Sequence, residues 1–148
     1  MKSVNPYLNF YGNTKEAFEF YKSVFGGEFL GIIRFEDMPG MPGVDEMSEA
    51  DRNKLMHIAL PIGKNNILMG TDVLESFSRP LDFGNNQYIN IEADSAEEAD
   101  QLFDALSEGG KIEMQLQQTP WAEKYGSCVD KFGVQWMVNY TGKVQFSA

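Results

Sequence analysis

The sequence predicts an α+β chain built from two βαβββ modules with pseudo-twofold symmetry, their curved mixed sheets wrapped around a cavity. Three observations carry this. A strand followed by a capped amphipathic helix occurs twice, a glycine pair closes each helix, and three further strand-like segments follow in the same order in each half. Repetition of this kind implies two copies of one supersecondary unit, each leaving a sheet edge and face that the other can complete.

Tyr7-Leu8-Asn9-Phe10-Tyr11 alternates in the manner of a half-buried strand, and Tyr88-Ile89-Asn90-Ile91-Glu92 repeats it 81 positions later in the same phase. Asn13-Thr14-Lys15-Glu16 and Ser95-Ala96-Glu97-Glu98 then have the form of capping boxes. In each, a side-chain oxygen accepts from an orphan helix N–H while a glutamate reaches back to the cap. Ala17, Phe20, Tyr21 and Val24 in the first helix, and Ala99, Leu102, Phe103 and Leu106 in the second, fall at i, i+3, i+4 and i+7 and form one apolar stripe each. Gly26-Gly27 and Gly109-Gly110 suit the left-handed backbone that ends a helix.

Second strands are expected at 28–35 and 111–118, third strands at 55–62 and 125–132, and fourth strands at 66–70 and 134–140. Matching residues lie 82 apart in the helices but 70 apart at Ile62-Gly63 and Phe132-Gly133, so the first half holds twelve extra residues. They fall in 37–53, DMPGMPGVDEMSEADRN, which is rich in Pro, Gly and acids and has no strand period. This predicts a long surface loop ending in one helical turn from Ser48, serving either as a flexible lid or as a connector. A second loop at 72–86 joins the halves. The modules are then 4–71 and 86–141 of one domain, the number that 148 residues suggests.

Composition excludes several function classes. A chain with 43% hydrophobic and only 23% charged residues is too apolar for disorder. A net charge of −10 without a Lys/Arg stripe repels a phosphate backbone, so no nucleic acid is expected as partner. No apolar run approaches the ~20 residues needed to cross a bilayer, and MKSVNPYLNF lacks a signal-peptide core. No membrane association and a cytoplasmic location are therefore expected. Cys128 is the sole cysteine and His57 the sole histidine, which leaves neither an intrachain disulfide nor a Cys/His zinc site. With no basic neighbour in sequence, Cys128 reads as a small packed residue. P-loop, GxGxxG, GxSxG and HExxH motifs do not occur.

Glu16-Ala17-x-x-Phe20-Tyr21-x-x-Val24-Phe25-Gly26, followed late in the chain by Asp130-Lys131-Phe132-Gly133 leading into Trp136, resembles the vicinal-oxygen-chelate superfamily. That superfamily includes glyoxalases, ring-cleaving dioxygenases, thiol transferases and bleomycin-binding proteins. Pro6-Tyr7-Leu8-x-Phe10, Gly12-Asn13, Met56-His57, Pro120-Trp121 and Tyr125-Gly126 are similar to its PhnB-like branch. The resemblance implies the glyoxalase/bleomycin-resistance fold, a cavity often completed in a homodimer, and in active members a divalent metal held from the first and fourth strands of each module. Carried over, those positions fall on Pro6 or Tyr7, Leu68 or Met69, Gln87 or Tyr88, and Val138 or Asn139. They do not make a ligand set for a hard cation. No metal and no cofactor is therefore expected. Some PhnB-like chains carry a methyltransferase label, but no glycine loop for S-adenosylmethionine is present.

Candidate site residues follow from the strand phase. His57 shares a face with Ala59, opposite Met56, Ile58 and Leu60. It is either a catalytic acid or base, a cavity-lining ligand contact, or a structural hydrogen-bonding group. Asn9 and Asn90 occupy equivalent strand positions where Asn is disfavoured, and either contact a polar ligand or bond to each other or to water. Tyr7 and Tyr88 share their faces and the same alternatives. Trp121 and Tyr125 offer a flat ligand something to stack on, whereas Trp136 reads first as core. Arg34 either pairs with an anionic substrate or faces solvent.

The function favoured by these residues is metal-independent binding of a small-molecule ligand by a PhnB-like homodimer. The rivals are a metal-dependent or His-based lyase, isomerase or transferase of the same fold, and a structural or assembly domain without a ligand.

Overall fold

In the computed structural model each half of the chain forms its own four-stranded mixed sheet with one long helix. The structure describes residues 1–74, 76 and 80–145. The chain divides into two compact units, Met1–Asp82 and Phe83–Ala148. Part of the joining loop expected at 72–86 lies outside the described residues.

In the first unit, β1 (Tyr7–Phe10) is followed by α1 (Thr14–Phe25), β2 (Gly31–Arg34), α2 (Glu49–Arg52), β3 (Leu55–Ile62) and β4 (Asn66–Asp72). The sheet order is β1-β4-β3-β2, with β1 parallel to β4 and the other pairs antiparallel. Ala17, Phe18 and Tyr21 of α1 are buried, as are Phe10, Ile58, Leu60 and Leu68 on the apolar phase of the strands. Fully burying each large side chain contributes roughly 1.5–3 kcal/mol.

The buried face of α1 is therefore turned toward Phe18 rather than Phe20, which is only half-buried. Gly70 on β4 explains the rotation. A Cβ there would stand 2.6 Å from Phe18 Cε2, so the glycine leaves the gap in which the ring sits.

The capping box expected at Asn13 is absent, because Asn13 makes no side-chain bond to the helix. Asp72, at the end of β4 and 5% exposed, takes over. Its Oδ1 accepts from the Thr14 N–H (3.1 Å) and the Thr14 hydroxyl (2.6 Å), and its Oδ2 accepts from the Leu55 N–H (2.8 Å). One buried carboxylate thus satisfies donors at the start of α1 and at the start of β3, which puts negative charge at a helix N-terminus.

A 3₁₀ turn at Phe35–Asp37 leads into residues 37–53, and a second, Val44–Glu46, lies within them. The N–H groups of Met38, Met41, Val44 and Met47 each donate to the carbonyl three residues before, at 3.0–3.2 Å. Val44 is buried and anchors this run. The helical turn expected from Ser48 is present as α2, with the Ser48 hydroxyl accepting from the Asp51 N–H. β2 is shorter than 28–35. Its end is set by the Asp37 carboxylate, which accepts from the Arg34 N–H at 2.7 Å and turns the chain into the first 3₁₀ turn.

The second unit repeats the plan with β5 (Ile89–Glu92), α3 (Ala96–Ser107), β6 (Lys111–Thr119), β7 (Ala122–Val129) and β8 (Gln135–Tyr140), in the order β5-β8-β7-β6. Ala99, Phe103 and Leu106 are buried on the expected stripe, and Phe103 lies over Gly126 of β7. The Ser95 cap forms, accepting from the Glu98 N–H at 3.0 Å, while Glu98 reaches one residue further back than expected, to the Asp94 N–H.

β7 begins and ends three residues before the expected 125–132. The tight turn at Pro120-Trp121 pairs Thr119 with Ala122, so the strand starts early. At its end, the buried Asp130 accepts from the N–H groups of Phe132 and Val134 and from the Trp136 indole at 2.8 Å, closing the turn into β8. Trp136 is a wholly buried core residue held by that bond.

Candidate functional site

Because side chains alternate across a strand, each sheet has one face under its helix and one turned away. Register places specific residues on the second face. In the first unit Tyr7 pairs with Met69, Met69 with Ala59, and Ala59 with Gly31. The next row holds Asn9 with Thr71 and His57 with Ile33, His57 and Thr71 following one step beyond the Ile58–Gly70 pair. In the second unit the corresponding row is Asn90, Met137, Ser127 and Met114, followed by Glu92, Asn139, Tyr125 and Gln117. Asn9 and Asn90 occupy the same position in their respective sheets and both are exposed.

Tyr7 is 46% exposed and leans across β4 toward β3, where its Oη lies 3.2 Å from His57 Nδ1 and 3.5 Å from the Met56 carbonyl. The two rings are tilted at 35° with centroids 5.8 Å apart. Partial burial pushes the Tyr7 phenol above its ordinary pKa, and a hydrogen bond with Thr71 opposes this in part. The sequence-derived residues Tyr7, Asn9 and His57 therefore share one face. Arg34 is directed elsewhere, its guanidinium donating to the Asn53 carbonyl and fastening the end of the 37–53 loop to β2.

In the second unit Tyr88 reaches from beside β5 to β6 and donates to Glu113 Oε1 at 2.8 Å. That bond, with burial and the negative charge of Glu113 adding to it, raises the Tyr88 pKa. Trp121, 39% exposed, stands edge-on to Tyr125 at 5.2 Å between centroids and 71° between planes, a favourable aromatic geometry. Beside them Glu92 accepts from Asn139 Nδ2 and, at 2.9 Å, from the Thr141 N–H. Burial alone would raise the Glu92 pKa, but these bonds outweigh it and hold the carboxyl below its usual value.

Glu113, Thr71 and the Glu92–Asn139 pair were not among the residues singled out from sequence. Thr71 had a usable signal, since NILMGTD places it in phase with Met69. The Tyr88–Glu113 bond spans 25 residues and has no local signature.

Among the described residues no three His, Cys, Asp or Glu side chains gather where they could hold a metal ion. At the positions the family uses, Leu68 and Val138 are buried apolar residues, and Tyr7 with Met69 or Tyr88 with Asn139 is not a donor set for a hard divalent cation. Cys128 is buried, and burial first, then the charges of Asp130 and Glu113, push its thiol up to about 11. It is no nucleophile at neutral pH.

The family model of the Glyoxalase/Bleomycin resistance protein/Dioxygenase superfamily matches residues 3–138. Protein YjdN of Escherichia coli (strain K12) is 34% identical over 139 residues, covering 92% of this chain and 93% of that protein. The crystal structure of protein PA1353 from Pseudomonas aeruginosa is similar with a TM-score of 0.80 at 37% identity, over 93% of this chain and 98% of that one. A Bacillus cereus protein described as a putative 3-demethylubiquinone-9 3-methyltransferase, PhnB protein, is similar with a TM-score of 0.72 at 25% identity, over 93% of this chain and 98% of its own.

Proposed function

Because the chain belongs to the glyoxalase/bleomycin resistance protein/dioxygenase superfamily, we propose that it binds a small molecule without a metal ion, on the sheet faces turned away from α1 and α3. One observation carries this reading. Asn9 and Asn90 stand exposed at the same row of each sheet, beside Tyr7 and His57 in one unit and in the row next to Tyr125 and Trp121 in the other. Asn is disfavoured in strands, and at the same exposed row of each sheet it offers two donors and one acceptor to a polar ligand. The ligand contacts in this reading are Tyr7, Asn9 and His57 on the face of the first unit, and Tyr88, Asn90, Trp121 and Tyr125 on the second unit, each taken by itself. Arg34 is left out because it holds the loop.

The test is a titration of flat aromatic and glycopeptide compounds, followed by tryptophan fluorescence and melting temperature. A response that weakens in Asn9→Ala or Trp121→Ala supports the reading, and silence across the series overturns it. Added Mg, Mn, Zn or Ni should leave the melting temperature unchanged. Stoichiometric retention of a divalent ion, lost in His57→Ala, would favour a metal-dependent enzyme of this fold instead.

The same reading includes a homodimer in a reducing, cytoplasmic setting. Its buried Cys128 thiol has no partner cysteine in the chain and needs no oxidising compartment. Sedimentation velocity at micromolar concentration checks the oligomeric state.

A further inference from the structure

His57 is the only imidazole in the chain, and its two ring nitrogens have different surroundings. Nδ1 faces the Tyr7 hydroxyl at 3.2 Å, whereas Nε2 has no hydrogen-bond partner among the described residues. A phenol carries one proton, and here two acceptors compete for it, His57 Nδ1 at 3.2 Å and the Met56 carbonyl at 3.5 Å. The second distance lies well beyond the ~2.7–2.8 Å typical of O–H···O bonds. The Thr71 hydroxyl directs its own proton to the Leu55 and Asp72 carbonyls, at 3.2 and 3.3 Å, and of the two acceptors facing the Tyr7 hydroxyl His57 Nδ1 is the nearer. An imidazole that accepts at Nδ1 must, when neutral, carry its own proton on Nε2.

We infer that Tyr7 is a positioning residue that holds neutral His57 as the Nε2–H tautomer, so that this face offers a donor and selects ligands presenting a hydrogen-bond acceptor, a carbonyl or a carboxylate. The inference rests on the small-molecule reading for its ligand but not for its tautomer. It also argues against His57 acting as a general base through Nε2, because an Nε2–H nitrogen has no lone pair with which to abstract a proton. Asn9, in the same row as His57, supplies a second donor to the same acceptor or an acceptor to a neighbouring group.

With one histidine, the experiment is unambiguous. Long-range ¹H–¹⁵N spectra of the ¹⁵N-labelled full chain, recorded on the neutral side of an imidazole titration followed in the same signals, read which nitrogen is protonated. The expected result is a protonated Nε2 and a bare Nδ1, with the tautomer ratio moving toward Nδ1–H in Tyr7→Phe. A dominant Nδ1–H form, or a ratio that Tyr7→Phe leaves unmoved while circular dichroism stays native, overturns the inference.

Selectivity is read with an isosteric pair, 2-acetylnaphthalene and 2-isopropenylnaphthalene. The ketone should bind about 3- to 10-fold more tightly, the effect of one hydrogen bond, and the ratio should collapse in His57→Ala. Equal affinities overturn the donor selectivity. If this pair and the whole flat-aromatic and glycopeptide series are silent while Nε2 is protonated, small-molecule binding at this face is refuted and the tautomer assignment stands.

Discussion

Replacing Asp72 by alanine tests how the first unit is held together. Its carboxylate accepts three hydrogen bonds, from the Thr14 N–H, the Thr14 hydroxyl and the Leu55 N–H, and the donor residues are 0% and 2% exposed. Alanine would leave two buried backbone N–H groups and a hydroxyl without an acceptor. A bond to a charged group contributes about 1.5–3 kcal/mol net, and an abandoned buried donor costs about 1–3 kcal/mol. The three share one acceptor and are not additive, so the expected loss is about 3–5 kcal/mol, the size seen when a buried charged partner is removed. For a chain of this size that lowers the melting temperature by about 10–15 °C.

Urea denaturation followed by far-UV circular dichroism is the assay. With an m-value of about 2 kcal/mol/M the midpoint should fall by about 1.5–2.5 M at unchanged m. Asp72→Asn keeps the shape and one acceptor and should lose about 2 kcal/mol, and Thr14→Val about 1 kcal/mol. The double variant Asp72→Ala/Thr14→Val should lose less than the sum of its parts. A loss under about 1 kcal/mol for Asp72→Ala would refute the reasoning, because three buried donors would then be satisfied without the carboxylate.

Other consequences can be checked with single variants. Gly70→Ala places a Cβ 2.6 Å from the Phe18 ring and 3.2 Å from the Leu8 carbonyl and should cost about 1–3 kcal/mol by overpacking, read from the same denaturation curves. Glu92 is held below its usual carboxylate pKa in the folded chain, so its contribution is present at neutral pH and lost as pH falls through the folded value. The stability gap between the native chain and Glu92→Gln should therefore hold down to the ordinary carboxylate value of 4.5 and close only below it. Cys128, with its thiol pushed up to about 11, should resist iodoacetamide at pH near 8 and react readily once urea unfolds the chain. Trp121→Phe should shift the emission to the blue and Trp136→Phe to the red, since Trp121 is 39% exposed and Trp136 is 0%.

The alternation at residues 7–11 and 88–92, the matched helices and the glycine pairs were enough to define the two modules, because periods of 2 and 3.6 are properties of the local backbone. Sequence also set the face on which Tyr7, Asn9 and His57 lie, since strand phase decides the face, and it placed the helical turn at Ser48. Tertiary structure decided which groups meet. Asp72 reaches the start of α1 from 58 residues away, taking the role expected of Asn13. Gly70 draws Phe18 rather than Phe20 into the core. Arg34 turns to the Asn53 carbonyl, and Tyr7 and Tyr88 find His57 and Glu113 across intervening strands. Such pairings depend on sheet register and on which donors are left without water, and both are fixed only when distant segments pack.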